Sequence, residues 1–536
     1  MGLFQRKNAQ SAEDKPAAET FSVRLPKQAS SMAPEGVWSN ADLDPTPRSQ
    51  WTWGVVTWWT FWLSAVADPA MFQTGSSLIP AGLGVSDAIG CVILANVVIS
   101  IPIVLNGTIG SRLRIPFPVA ARSSFGYWFS LLPVVSRAVL SCVWYSIETY
   151  NGGAAMTQCL RAMWPSYLNI PNHLPESAGM TTIDFCSYFL YWLLQLPFHF
   201  ISPKNLRWFF ALKFVYVPIV ALATMGTMVH QAGGGGPLVA QGATAKGMDY
   251  ASAWCLGFAA LCGNWATLAV NSPDFTRYST TPRTQIWQIP GLLVSTVLIT
   301  TCGILAASAS VIVYGGEALW SPFDIYSNWD NRAAVWFCSF GWIIGSIGAN
   351  ITANSISAAN DLTSLFPKYI NITRGQIITA VVGGWAFVPW KILSSGTSFL
   401  NFMSAYAVIM GPFAAIITAD FWLVKKFNYD VPALYDPHGR YTYWNGINWR
   451  AVVTCIVTIA PTMPGLIQTV NPNIQVGDVF WFYAPGFVSG YVPALLVYWL
   501  LNVFFPHHDT LIASAVTSTA PEEAAEGDIE SKASAQ

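Results

Sequence analysis

Between residues 51 and 505 the chain is a succession of apolar runs. About twelve of them are long enough, at roughly 20 residues each, to cross the ~30 Å hydrocarbon core of a bilayer. They centre near Phe61, Val97, Trp144, Leu193, Val217, Leu261, Ser295, Ile344, Gly383, Ala407, Ala460 and Ala494. In lipid every backbone polar group must be satisfied within the protein, so runs of this length cross as helices. The expectation is an all-α polytopic membrane protein with about twelve transmembrane helices, occupying residues 51–505. Only 10% of the residues are charged, against about 25% in soluble globular chains. A water-facing surface for 536 residues cannot be assembled from so few.

Residues 1–50 and 506–536 contain no sustained apolar run and read as disordered tails. An even number of spans puts both tails on one side. Loops on that side hold Arg112, Arg114, Arg122, Lys204, Arg207, Lys213, Arg277, Arg283, Lys368, Arg374, Lys425, Lys426, Arg440 and Arg450. The opposite loops hold only Arg161, Lys246, Arg332 and Lys391, together with five acids. The excess of cations makes the tail side cytosolic, and the expected location is the plasma membrane. Sequons at Asn106 and Asn371 then fall on cytosolic loops and stay unglycosylated. A net charge of −1 excludes a basic surface for nucleic acid. Nine cysteines, mostly single within apolar runs, indicate neither a disulfide framework nor a zinc site. The six histidines show no metal spacing, and the glycine run Gly233–Gly236 lacks a following Lys-Ser/Thr. No cofactor is expected, and neither an enzyme nor an ATP-driven pump is supported.

Two segments combine helix breakers with polar residues. Segment 1 runs through Ala67-Asp68-Pro69-Ala70 and Gln73-Thr74-Gly75-Ser76-Ser77. Segment 6 contains Cys262-Gly263-Asn264-Trp265 and then Asn271-Ser272-Pro273-Asp274. Backbone freed by proline or glycine is tolerated in lipid only where it lines a cavity or is buried in protein. Interruptions five segments apart point to a five-plus-five inverted repeat whose broken helices 1 and 6 offer backbone dipoles to a substrate. Segment 3 stacks Arg137, Ser141, Trp144, Glu148 and Asn151 on one helical face, and segment 8 does the same with Asn350, Asn354, Ser357 and Asp361. An intramembrane carboxylate such as Glu148 costs about 2.5–3.5 kcal/mol to insert and faces a cavity or a partner. Trp144 lies one turn from Glu148, and Trp265 adjoins Asn264. Flat aromatic faces with convergent hydrogen-bonding groups suit a small planar heterocycle.

Several stretches carry a more specific likeness: Asn40-Ala41-Asp42-Leu43-Asp44-Pro45-Thr46-Pro47, Ile115-Pro116-Phe117-Pro118-Val119 with Ser123-Ser124-Phe125-Gly126, Val143 to Gly153, Asn271 to Tyr278, Asn354 to Leu362, and Gly446-Ile447-Asn448-Trp449-Arg450. In order and over roughly residues 40 to 505, they resemble the Fur-type (uracil, allantoin and thiamine permease-like) branch of nucleobase:cation symporter family 1. The resemblance implies twelve spans, the first ten in a LeuT-like inverted repeat, and alternating access. It also implies that Trp144 and Trp265 sandwich the substrate ring while Asn354 and residue 148 bind its edge; Asn151, on the face of Glu148, and Asn264, beside Trp265, are the further expected binding residues. Most members carry glutamine at 148. The glutamate here offers only acceptors when ionised, which favours a cationic heterocycle such as thiamine or nicotinamide riboside. If Glu148 is protonated, a neutral base or allantoin fits instead. Sodium-coupled relatives place hydroxyls in segment 8 where this chain has Gly348 and Ala349, so the resemblance implies a proton as the coupling ion. Asp68, Asp274 and Asp361 are the expected coupling or gating acids. A non-transporting nutrient receptor of the same fold is the alternative class.

Overall fold

The computed structural model describes residues 24–25, 32–33, 38–201 and 206–517. Within them the apolar runs form twelve helical spans. Span 1 is two half-helices, Val55–Val66 and Pro69–Ser76. Spans 2 and 3 are Val85–Leu113 and Leu131–Met163, and span 4 is Thr182–Gln195, extended by a tighter turn at Leu196–Phe200. Spans 5, 6 and 7 are Arg207–Gln231, Gly247–Asn271 and Gln288–Tyr314. Span 8 runs Arg332–Leu365, span 9 Ile372–Trp385 and span 10 Gly396–Val424. Spans 11 and 12 are Trp449–Val470 and Phe487–Phe504.

The repeat is visible in pairs five spans apart. Spans 4 and 9 are each 14 residues long, and spans 3 and 8 are among the longest. A short buried helix follows span 2 (Phe117–Phe125), and its counterpart follows span 7 (Pro322–Ser327). Span 7 packs along the second half of span 1, as span 2 packs along span 6.

Ala67 and Asp68 leave helical geometry between the two halves of span 1. Pro69 brings no amide hydrogen, and the Asp68 carboxylate accepts from the Met71 amide at 2.8 Å, capping the second half. In span 6 the helix continues through Cys262–Trp265, and the interruption falls at the second polar stretch, Ser272–Pro273. Gly263 serves close packing there: a Cβ would lie 2.3 Å from the Met403 carbonyl oxygen. A glycine in lipid thus marks helix contact as readily as a break. The same device seals span 1 to span 7, where a Cβ on Gly75 would meet the Thr300 oxygen at 2.4 Å and one on Gly303 the Phe72 oxygen at 2.2 Å.

Three expectations are corrected. Asn106 is not on a loop: it is buried in span 2, donates to the Ala269 and Ala414 carbonyls at 2.7 and 3.1 Å, and accepts from Thr418, tying spans 2, 6 and 10. Asn371 caps span 9 by accepting from the Arg374 amide. Residues 38–50 are packed rather than disordered: Asn40 donates to the carbonyls of Pro367 and Ile370, the Asp42 carboxylate accepts from the Ile372 amide, and Leu43 is fully buried. Residues 507–517 likewise dock, the Val431 amide donating to Val516. Neither segment is apolar enough to announce this, because backbone carbonyls and caps hold it. Apart from residues 24–25 and 32–33, the remaining tail residues, with Lys204, lie outside the described residues. Lys213, assigned to a loop, is two turns inside span 5 and fully buried.

Gly303→Val should push span 7 off the second half of span 1. The expected outcome is a lower melting temperature and loss of monodisperse protein in detergent, with a shift matching about 1–3 kcal/mol of overpacking. Fluorescence-detected size exclusion with a thermal challenge checks it.

Candidate functional site

The break in span 1 faces spans 3, 6 and 8 across a cavity of about 620 Å³, counting its open mouth. Asp68 and Met71 contribute from span 1, Arg137, Ser141, Trp144 and Glu148 from span 3, Asn264, Trp265 and Asn271 from span 6, and Asn354 and Ser357 from span 8. Span 8 widens into a π-helical turn over Asn350–Ser355 just where it passes the cavity, a distortion that gathers at functional sites.

Each tryptophan is held by other rings. Trp144 donates from Nε1 to the Tyr406 hydroxyl at 3.1 Å and meets Phe399 and Phe402 edge-on. Trp265 lies edge-on to Trp62, with ring centroids 5.1 Å apart. These contacts hold the two indoles that line the cavity. Asn264 is partly exposed within it, and the Asn354 Nδ2 donates to the Asn350 Oδ1 at 2.9 Å. Asn151, expected on the same face as Glu148, does not line the cavity; it accepts from Gln73 at 2.9 Å, joining span 3 to the second half of span 1.

Asp274 and Asp361 lie at the end of the cavity nearer the tails. Both face Arg137, which is fully buried: its Nη2 lies 3.6 Å from Asp274, forms an ion pair with Asp361 and donates to the Ser357 carbonyl at 2.8 Å. Asp274 also accepts from the Phe117 amide at 2.8 Å and from Asn271 at 3.2 Å. One guanidinium therefore locks spans 3, 6 and 8 and the Phe117–Phe125 helix together.

Sequence reading missed Lys213. It interacts electrostatically with both Asp68 and Glu148, and its Nζ makes no hydrogen bond among the described residues. Its chain passes where a side chain on Gly348 would stand: a Cβ there would lie 2.4 Å from the Lys213 Cδ. The small residues at 348 and 349 were the available signal, since they leave a niche that something must fill. No group of three or more His, Cys, Asp or Glu able to hold a metal occurs among the described residues.

A cavity at the break of an inverted-repeat bundle, with ionisable groups beside the break, is the place where transporters of this architecture hold substrate. Residues 45–498 match the family model described as permease for cytosine/purines, uracil, thiamine, allantoin, and the chain belongs to that family. It is 35% identical to an uncharacterised permease of Schizosaccharomyces pombe, over 94% of this chain and 90% of that one. It is 33% identical to the uridine permease of Saccharomyces cerevisiae, over 87% of this chain and 75% of that one. Against the uracil permease of the same yeast the figures are 31%, 87% and 76%. Among solved structures, Mhp1, a nucleobase-cation-symport-1 family transporter in a closed conformation with bromovinylhydantoin bound, superposes with a TM-score of 0.69 at 21% identity, covering 88% of this chain and 97% of that one. The curated relatives are permeases and transporters, so the chain is a multi-pass membrane transporter and not an enzyme.

Arg137→Met would leave Asp274 and Asp361 buried without their cation. Breaking a buried pair in this way costs about 3–5 kcal/mol, so the purified variant should melt well below wild type. Combining it with Asp361→Asn should recover part of that loss. Thermal melts of the single and double variants check both.

Proposed function

We propose that the chain is a proton-coupled importer of a small, neutral, planar nitrogen heterocycle, seated in the plasma membrane with both tails cytosolic. The observation that carries the substrate reading is the cavity wall, where the Trp144 and Trp265 faces accompany the amides of Asn264 and Asn354. Aromatic faces take up the two sides of a ring, and amides pair with its lactam or ureide edge. The uridine, uracil and allantoin permeases among the relatives are named for neutral compounds of this kind.

Coupling rests on Lys213. Hard oxygen ligands are missing at Gly348 and Ala349, and an ammonium beside that niche repels a sodium ion. Asp68, Glu148 and Lys213 together carry a net −1 when all are ionised, and one transported proton neutralises them. Two carboxylates facing one another favour holding a shared proton. In this reading Glu148 takes part in coupling and already has a cationic neighbour. Asp274 and Asp361 act as a gate: their pairing with Arg137 opens for the cavity to empty toward the tails. The same net −1 favours a second reading, a cationic heterocycle in place of the proton, and a thiamine transporter of Saccharomyces cerevisiae is 30% identical over 88% of this chain.

Competition against labelled uracil in transport-deficient cells, using uridine, allantoin, thiamine and nicotinamide riboside, separates the readings. Neutral compounds should compete, and the two cations should not. Trp144→Ala and Trp265→Ala should each raise the apparent KM about threefold to tenfold at unchanged surface expression, given ~0.5–1.5 kcal/mol per lost stacking contact. In proteoliposomes an imposed pH gradient should drive concentrative uptake, which a non-transporting receptor would not give. Lys213→Met should uncouple uptake from that gradient. Uptake indifferent to a protonophore but abolished without sodium would overturn the coupling assignment.

A further inference from the structure

The second layer behind Asn354 decides which of its amide atoms faces the cavity. The Asn350 Nδ2 points at three oxygens: the Tyr145 carbonyl at 3.3 Å, the Thr149 hydroxyl at 3.2 Å and the Gln195 Oε1 at 3.0 Å. A backbone carbonyl can only accept. The Thr149 hydroxyl spends its hydrogen on the same Tyr145 carbonyl, at 2.7 Å, and accepts from the Gln195 Nε2 at 3.0 Å. Only an NH2 group satisfies that position, so the Asn350 amide cannot be turned over without setting oxygen against oxygen in a buried site. Its Oδ1 is therefore directed at Asn354, and the Asn354 Nδ2 answers at 2.9 Å. With its Nδ2 so engaged, the Asn354 side chain, which lines the cavity, keeps its Oδ1 free of any hydrogen bond among the described residues.

We infer that Asn350 is a positioning residue: held by Tyr145, Thr149 and Gln195, it fixes Asn354 as a hydrogen-bond acceptor, so the transported ring must present an N–H at that edge. The inference rests on the neutral-heterocycle reading above and adds the polarity of one edge of its ligand. Spans 3, 4 and 8 all contribute, which ties the chemistry read in the cavity to the packing of span 4, an element with no residue lining it. With Asn350 in place, a ring that meets Asn354 through a methylated nitrogen or a carbonyl oxygen leaves the Oδ1 facing a group that cannot donate. Without Asn350, the Asn354 amide is free to rotate and serve either polarity.

The test measures binding of uracil and hydantoin, and of their N1-methyl and N3-methyl derivatives, to the purified full chain in nanodiscs. Wild type should bind at least one parent ring and reject one of its methyl derivatives by about tenfold or more, the scale of an unanswered buried polar atom. Asn350→Ala should narrow that ratio to about threefold or less while still binding the parent. Asn350→Asp keeps an acceptor facing the Asn354 Nδ2 and should retain the discrimination even if its melting temperature falls. A role confined to packing would not split the two variants in this way. Should Asn350→Ala fail to fold, Asn350→Leu fills the space without an acceptor and should show the same narrowing. Discrimination unchanged in Asn350→Ala or Asn350→Leu, or absent from wild type, overturns the positioning role and leaves the transport reading standing. If wild type binds neither uracil nor hydantoin, the neutral-heterocycle reading falls and the inference falls with it.

Discussion

Lipid cannot hydrogen-bond to a peptide group, and the rest of this architecture answers to that constraint at residues 67 and 68. Where span 1 leaves helical geometry, its freed backbone needs partners inside the protein. Asp68 supplies one by capping the second half-helix. Span 8 closes in from the side, with Gly345 leaving room for the Ala67 carbonyl and the Asp68 backbone. A buried carboxylate in turn requires a counter-charge, and Lys213 on span 5 provides one that interacts with it electrostatically, its chain running past Gly348. Glu148 joins the same cluster from span 3. The polar cavity is thus the solution to a local backbone problem, and its lining follows from how that problem is solved.

The two ends of the cavity are flanked by different interactions. Away from the tails they are aromatic: Trp144 against Phe399 and Phe402, with Trp320 stacked on Phe399. Such contacts are short-ranged and soft, and separate through small rotations. Toward the tails the flanking contact is ionic and buried, and releasing Arg137 from its two carboxylates requires water to enter as the groups part. Beneath it residues 40–44 add a strap, with Arg277 donating to the Asp42 carbonyl and Tyr435 to that of Leu43.

Most of the fold was legible because hydropathy and proline placement are local signals. The twelve runs, the break at Asp68-Pro69 and the polar stripe of span 3 could all be read from spacing. Lys213 could not: six residues after Arg207 at the start of span 5, it looks like a loop cation, and only the approach of span 8 shows where its chain goes. Asn350 and Asn354 were recognised as sharing a face, but the π turn that carries them leaves no mark in composition. Asn151 kept its helical register yet is taken up by Gln73, since a stripe on one helix does not reveal what the neighbouring helix brings. Residues 38–50 escaped because they dock through backbone carbonyls and caps, which hydropathy does not weigh.

Several cations that argued for the orientation end up inside the protein. Arg114 donates to the Ser279 carbonyl and lies over the Trp51 ring. Arg122 donates to Leu434, Arg450 to Phe505, and Lys425 to Ser123 and Asp420. Satisfied in this way, they present little charge to lipid headgroups in the closed bundle. An influence on topology under the positive-inside rule would belong to biogenesis, while the nascent chain is threading and these side chains are still solvated. Once the bundle closes, the same residues become internal fasteners. A substitution at one of them can therefore act at two separate times, first on the direction of insertion and later on assembly, and pulse-chase topology mapping and the melting of mature protein would report these as distinct defects.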